Sequence, residues 1–347
     1  MATINLFEGR SLTNAINKVK AVDSFVVDSF FKSEYHAADK IDIEIRYGTD
    51  RIAQFVNSEE KAKPVRKLHR RVKTVTPPRT FESKSFTAFE LSRYNQAGDL
   101  YVSSVAERDK ISNEMILTDL SELKSRAVRR REQMACEGLS SGKIVVSQDN
   151  IDFEVDFDFE VGKHLLTMSS KKWGTSEAEI IKNIRTWKKA IMARSGSVAD
   201  TLILGESAAE AFLEDSAVQN LLNNRNVNVG SLELNKPAAS ADFLGKIAGV
   251  DIYCYSQQYT ADEGGTTTVK NMIPTDRAIL VASSAPGFRL HFAPIYRIEG
   301  GSLKSYQSEL YVESFTNEDK TALEWKVEQK CLPAIHEPDA VISVKVI

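Results

Sequence analysis

The sequence predicts a mixed α+β fold, and three observations carry that expectation. One is a long run at helical spacing over residues 118–138. Another is a strictly alternating stretch, IDFEVDFDFEV, at 151–161. The third is a strand-rich last part that follows two further amphipathic helical patterns.

The chain has 347 residues, 42% hydrophobic and 27% charged, with a net charge of −3. That is enough for two compact domains, or one domain with long extensions, around a real core. The charge balance excludes a global basic field of the kind that announces a nucleic-acid binder. No signal peptide is visible, because Glu8 and Arg10 break the first apolar run. No stretch approaches the roughly 20 apolar residues of a membrane span. Cys136, Cys254 and Cys331 are widely spaced and form no C-x-x-C pair, which fits buried thiols in a reducing compartment. The five histidines (His36, His69, His164, His291, His336) show no ligand spacing to one another or to cysteine, so neither a metal site nor a cofactor is expected.

Residues 1–38 alternate short polar and apolar pieces with little to build a core from, the pattern of an arm that packs on something else. KIDIEIRYGTDRIAQFV (40–56) reads as two alternating segments around Tyr47-Gly48-Thr49-Asp50, a β-hairpin. Seven basic residues without an acid follow between 61 and 73: Lys61, Lys63, Arg66, Lys67, Arg70, Arg71 and Lys73. Pro64, then Pro77-Pro78, argue against a helix there, so an extended, exposed loop or ribbon is expected. A solvated loop, phosphate contact and docking on an acidic partner are all open to it. No aromatic is interleaved, which argues against a base-stacking platform.

The long helix is expected to run about five turns, from Thr118 as cap to Gly138 as stop, with Leu120, Leu123, Ala127 and Val128 on one stripe. Arg126, Arg129, Arg130 and Arg131 make it rich in arginine. In the alternating strand, Ile151, Phe153, Val155, Phe157 and Phe159 form the buried face. Asp152, Glu154, Asp156, Asp158 and Glu160 form a ladder of five carboxylates on the other. Crowded like charges cost stability unless something positive covers them. That favours an acidic docking surface over plain solubility or a divalent-cation site.

Ser176 with Glu179, and Ser207 with Glu210, each have capping-box spacing. The first opens a helix with an apolar stripe of Ile180, Ile184, Trp187 and Ile191, ended by Gly196. The second follows the strand TLIL inside GESAA (205–209), one residue short of the nucleophile elbow G-x-S-x-G. Asp251 or Asp276 before His291, or Asp319 before His336, preserves the order of a hydrolase triad. Against a nucleophile, Ala209 replaces the motif's second glycine, no glycine-rich oxyanion loop lies upstream, and the first 200 residues do not alternate parallel strands with crossover helices. Ser207 is therefore expected to start a helix. Phosphate-loop, dinucleotide and H-E-x-x-H motifs are absent from the sequence, and no enzyme is expected.

The order of these pieces is more specific than any one of them. It includes RRREQMACEGLSSGKIVV, KKWGTSEAEIIKNIRTWKKAIMARSG, TLILGESAAEAFL and GVDIYCYSQQYTADEGGTTTVKNMIP. Together they resemble the lambda-type major capsid proteins of tailed bacteriophages (the capsid E family) over nearly the whole chain. The telling positions are Glu132, Met134, Leu139 and Gly142, then Trp173 and Gly196, then Tyr253, Tyr255 and Tyr259 with Gly264, Gly265 and Ile273-Pro274. All are packing or turn positions. The basic run 61–73 has no counterpart in the family pattern.

The resemblance implies the Hong Kong 97 capsid fold. Its parts would be an N-terminal arm (1–38), an extended β-hairpin loop (39–92), a peripheral domain with a spine helix (93–162), an axial domain (163–288) and strands returning to the peripheral domain (289–347). It also implies a function: self-assembly into hexamers and pentamers of an icosahedral head enclosing double-stranded DNA. The place would be the virion, after assembly in the host cytoplasm. The implied partners are scaffolding, portal and decoration proteins and non-specifically held DNA, with no membrane and no self-cleavage. On that reading the basic run and the carboxylate ladder are complementary, and the run is expected to reach an acidic surface of a neighbouring subunit. Two other classes remain: a nucleic-acid-binding protein using 61–73, and, as the weakest alternative, a serine hydrolase using Ser207.

Overall fold

The computed structural model describes residues 24–48, 70–87, 105–148, 151–224, 241–263, 266–316, 319 and 321–347. Helix α1 (Phe25–Phe30) comes first, then β1 (Lys32–Tyr35), β2 (Ile41–Arg46), β3 (Arg70–Val75) and β4 (Arg79–Thr87). Strand β2 buries Ile41, Ile43 and Ile45 and turns Asp42, Glu44 and Arg46 outward, the period of a half-buried strand. Its antiparallel partner is β3, in register from Ile41↔Val75 to Arg46↔Arg70. The described partner of β2 is thus the end of the basic run, while residues 51–56, expected as the second segment of the hairpin, lie outside the described residues. Opposite Ile41, Val75 supplies a β-branched cross-strand pair that continues the core side of the ribbon.

Helix α2 (Val105–Ser141) is 37 residues long, so Thr118 and Gly138 lie inside it rather than at its ends. A Cβ on Gly138 would sit 3.3 Å from the Phe157 ring, so this glycine serves close packing. The helix stops at Gly142, whose φ of +73° suits glycine and whose N–H bonds the Gly138 carbonyl. Strands β5 (Lys143–Gln148) and β6 (Ile151–Asp156) follow as a hairpin. The alternating stretch does not continue as a strand to 161. Phe157 donates its N–H to the Gly142 carbonyl, Asp158 takes φ +58°, and the Glu160 N–H bonds His164 Nδ1. Fully buried Phe157 is the cause, because it draws the chain over the end of α2.

Next come β7 (Leu165–Thr167), α3 (Ile180–Ser195), β8 (Thr201–Leu204), α4 (Glu206–Glu214) and α5 (Ser216–Asn224). The stripe Ile180, Ile184, Trp187, Ile191 is buried as expected, and Gly196 ends α3 at φ +72°. Neither capping box forms. Glu179 occupies the cap position of α3, and its carboxylate pairs with Lys171 and Lys182 instead. Gly205, not Ser207, precedes α4, and the Ala208 N–H finds the Thr275 carbonyl at 2.9 Å. A neighbouring backbone thus satisfies a donor that a serine cap would otherwise serve.

The remaining strands are β9 (Asp242–Ile247), β10 (Val250–Cys254), β11 (Gln258–Glu263), β12 (Thr266–Asn271), β13 (Arg277–Val281) and β14 (Phe288–Phe292). After them come β15 (Ile295–Glu299), β16 (Ser302–Tyr306), β17 (Tyr311–Thr316), β18 (Ala322–Ile335) and β19 (Val341–Lys345). Two sheets organise the subunit. One has the order β1-β14-β18-β17, with β4 also paired along β18; the other runs β7-β19-β13-β8-β10-β9. Segment 289–347 therefore does not stay with one sheet, since β19 lies between β7 and β13. Residues 341–344 are buried on both faces and need that central place. The hairpins β2–β3, β5–β6, β11–β12 and β15–β16 stand apart as two-stranded ribbons.

One apolar cluster joins α1, the C-terminal half of α2, α3, α4 and both sheets. A second packs Leu120, Leu123 and Ala127 of α2 against Leu310, Val312, Trp325 and Val327. A Cβ at position 205 would lie 2.3 Å from the Pro274 carbonyl oxygen, so Gly205→Ala should lower subunit stability by about 1–3 kcal/mol in denaturant unfolding. Ser207→Ala should stay within about 0.5 kcal/mol of the parent.

Candidate inter-subunit surface

Glu132 on α2 is a buried carboxylate, 2% exposed. Its carboxylate accepts hydrogen bonds from the N–H groups of Val26 (2.7 Å) and Val27 (3.0 Å) and from the Tyr255 hydroxyl (2.8 Å). Burial pushes the Glu132 carboxyl up from its ordinary value, and these three donors oppose the shift. Phe25 lies against the rings of Tyr253 and Tyr255, with centroids 4.9 and 5.8 Å away. One side chain therefore ties the N-terminal segment, the spine helix and the chain after β10 together.

The charged residues gather about the chain that follows α2. Glu44 on β2 pairs with Arg46 (3.0 Å) and Arg70 (2.8 Å). Arg71 and Lys73 reach across to Asp158, at 2.8 and 2.7 Å. Burial alone would raise the Asp158 carboxyl, but the hydrogen bonds from Lys73 and Arg71 outweigh it and hold it below its ordinary value. Lys143, opposite Asp156 in the β5–β6 register, bridges Asp156 (2.9 Å) and Glu154 (3.2 Å). Asp152 accepts from the Ser147 hydroxyl, and Glu160 lies 3.7 Å from Lys163.

Each described member of both charge sets thus has a partner in its own chain. Arg70, Arg71 and Lys73 are placed; Lys61, Lys63, Arg66 and Lys67 lie outside the described residues. The carboxylates divide as well, with Asp152, Glu154 and Asp156 on β6 and Asp158 and Glu160 in the turn beyond it. Alternation along 151–161 could not reveal this, because it carries no sign of the bend at Phe157.

Sequence reasoning missed two further clusters. Glu328, 2% exposed on β18, is held by Arg79 at 2.6 and 2.8 Å and by Arg297, which also binds Glu313 at 3.0 Å. Arg79 lies over the Phe81 ring at 4.3 Å. Three of the five histidines, distant in sequence, converge: His36 Nε2 lies 2.7 Å from His291 Nδ1, and His291 Nε2 lies 2.9 Å from His336 Nε2. Burial pushes His291 down to about 3. Both ring nitrogens of His291 and of His336 are engaged within this cluster or with the Glu44 carbonyl, so neither serves Ser207 as a base. Cys136 and Cys331 are buried thiols. Among the described residues, no helix is long and apolar enough to cross a membrane.

Comparison with known proteins fits this architecture. A model of the family described as phage major capsid protein E matches residues 8–346. A protein from E. coli CFT073, assigned as a prophage capsid protein, superimposes with a TM-score of 0.67 at 13% identity, covering 98% of this chain and 99% of that one. A phage-related protein from Bordetella bronchiseptica RB50 gives 0.54 at 13% identity, covering 96% and 95%. The capsid of an empty GTA particle gives 0.50 at 9% identity, covering 93% and 89%. Comparison with curated protein sequences gives no match. At these identities the structural likeness speaks to the fold.

Two measurements probe the geometry. Glu132→Ala leaves the buried Val26 and Val27 N–H groups without an acceptor and the Tyr255 hydroxyl with Gln257 alone, and should cost about 3 kcal/mol, read as a lower denaturant midpoint of isolated subunits. Asp158 has a lowered folded value, so its contribution is present above its unfolded value of about 4 and is lost as pH falls through the lowered one. The stability gap between the parent and Asp158→Asn should therefore be constant from pH 7 to 5 and shrink below about pH 4 in urea unfolding.

Proposed function

This chain belongs to the phage major capsid protein E family and is a major capsid protein of phage heads rather than an enzyme, and we propose how its surfaces build the shell. Copies associate as hexamers and pentamers, and Lys61, Lys63, Arg66 and Lys67 of each copy dock on the acidic face of the next. That face comprises Asp152, Glu154 and Glu160 beside Asp156 and Asp158.

The observation that supports this reading is the anchoring of β3. Arg71 and Lys73 bind Asp158 within the subunit, so the last part of the basic run is a fixed stem rather than a loose tether. The Glu154 and Glu160 side chains, 57% and 61% exposed, keep lone pairs open to a second cation despite Lys143 and Lys163. An apolar contact accompanies the charges. Ile298 and Leu303 face each other across hairpin β15–β16 while 79% and 71% exposed, and a neighbouring copy covers them in the shell.

Exposed ion pairs contribute only about 0–1 kcal/mol each, so their effect depends on repetition around every capsomer. Scaffolding, portal and decoration proteins and packaged DNA are the further partners of this reading, with assembly in the host cytoplasm.

Reversing Lys61, Lys63, Arg66 and Lys67 to Glu tests the docking without touching the in-chain pairs of Arg70 and Arg71. Electron microscopy with light scattering should show fewer closed shells at low salt and a weaker salt dependence of assembly. Unchanged assembly at low salt rules the docking out. Salt-sensitive DNA binding by isolated subunits, lost in the variant, would assign the run to nucleic acid instead.

A further inference from the structure

We propose that Glu34, His36 and His291 form a site for one divalent transition-metal ion of the zinc class, which clamps the N-terminal strand of the subunit to β14. Strand geometry assembles it. β1 runs parallel to β14 with Glu34 directly opposite His291. The His36 N–H bonds the Phe292 carbonyl at 2.9 Å, which carries the pairing one residue past β1. Side chains two apart share a face of a strand, so Glu34 and His36 lie on the side where His291 stands. Their ligand atoms all fall within 4.8 Å of one another.

The distances suit an ion after small adjustments. Glu34 Oε2 lies 3.9 Å and His36 Nε2 2.7 Å from His291 Nδ1. Ligands about 2.0–2.2 Å from a tetrahedral ion are roughly 3.3–3.5 Å apart, so the first gap closes and the second opens by well under 1 Å. Two imidazoles and one carboxylate are ligands for zinc and its neighbours rather than for calcium or magnesium. His36 is half-buried and next to solvent, which leaves a fourth position for water.

The outer contacts settle which nitrogen can bind. The Glu44 carbonyl can only accept, so His336 carries its proton on Nδ1, 2.9 Å away. His336 Nε2 then accepts, and its 2.9 Å partner, His291 Nε2, must donate. His291 Nδ1 is left with a bare lone pair aimed at His36 and Glu34. Two successive hydrogen bonds from a backbone carbonyl thus select the ligating tautomer, as the outer contacts of metal-bound histidines do. At present the His36 Nε2–H donates to that lone pair. Metal binding moves this proton to His36 Nδ1, and both nitrogens then face the ion without net proton release.

Arg289 binds Glu34 Oε2 at 2.6 Å. It orients the carboxylate and, holding the same oxygen that faces His291, also competes with the ion, which tempers affinity. The ion would link positions 255 residues apart in the chain.

The test uses tag-free full-length protein, stripped with chelator and titrated with cobalt(II) and zinc(II). One equivalent of cobalt should bind with visible ligand-field bands, and zinc should raise the melting temperature. His36→Ala removes a half-exposed ligand and, judged on folded protein by its circular dichroism, should abolish both effects. His336→Gln, judged on folded protein by its circular dichroism, should weaken cobalt binding about 10–100-fold while leaving the three ligands in place. Absence of a saturable equivalent in the parent, or equal binding by His36→Ala, overturns the proposal. Unchanged affinity in His336→Gln overturns the tautomer argument.

Discussion

The subunit depends first on a buried carboxylate. Glu132 stands on the spine helix at the point where the N-terminal segment and the chain after β10 both meet it, and it supplies the acceptors for each. An ionised or protonated carboxyl in such a place is costly without donors. Val26, Val27 and Tyr255 are those donors, and displacing any one of them leaves the carboxylate short of a partner. The aromatic contact of Phe25 with the two tyrosines follows from this geometry, and so does the path that brings β1 alongside β14. A short helix of six residues would not persist alone. It is held because its first N–H groups end on a fixed acceptor and its apolar side chains enter the main cluster.

Much of the fold was legible because burial imposes a period. The stripe of α3, the alternation of β2 and the both-faced burial of β19 are written in residue type. End signals were less legible. Thr118, Ser176 and Ser207 all have the chemistry and spacing of caps, yet α2 runs through the first and backbone or ion pairs serve the helices at the other two. A cap matters only where donors are otherwise orphaned, and that depends on which strand lies alongside. Gly138 and Gly205 tell the same story: each is small because Phe157 or the Pro274 carbonyl presses on it, not because a helix must stop or a nucleophile must be presented.

Charge was read with the right sign and incomplete addresses. Complementarity between 61–73 and 151–161 was visible in composition, and the structure joins Arg71 and Lys73 to Asp158 inside one chain. The two uses are compatible. With Arg71 and Lys73 already held in the subunit, that part of the run loses no further conformational entropy when the rest docks. Glu154 and Asp156 sharing Lys143 shows the same economy, since one cation relieves the like-charge strain while leaving much of the acidic face exposed.

The histidine cluster shows why sites can be invisible in a sequence and still be dictated by it. His36, His291 and His336 lie on a strand extension, on β14 and just past β18, and nothing in their spacing relates them. Two pairings bring them together: β1 parallel to β14, and β14 antiparallel to the end of β18. Both depend on the N-terminal segment being delivered to the sheet edge, which is what Glu132 achieves through α1. A parallel strand added from the chain's beginning has no hairpin to set its register. Side-chain contacts must do so, and Glu34 with Arg289, Tyr35 stacked on Phe292, and His36 with His291 all act at successive positions of the same edge. A slip of one residue would turn each of these to the wrong face. The cluster therefore specifies register whether or not an ion joins it, and an ion would strengthen a constraint that the edge already needs.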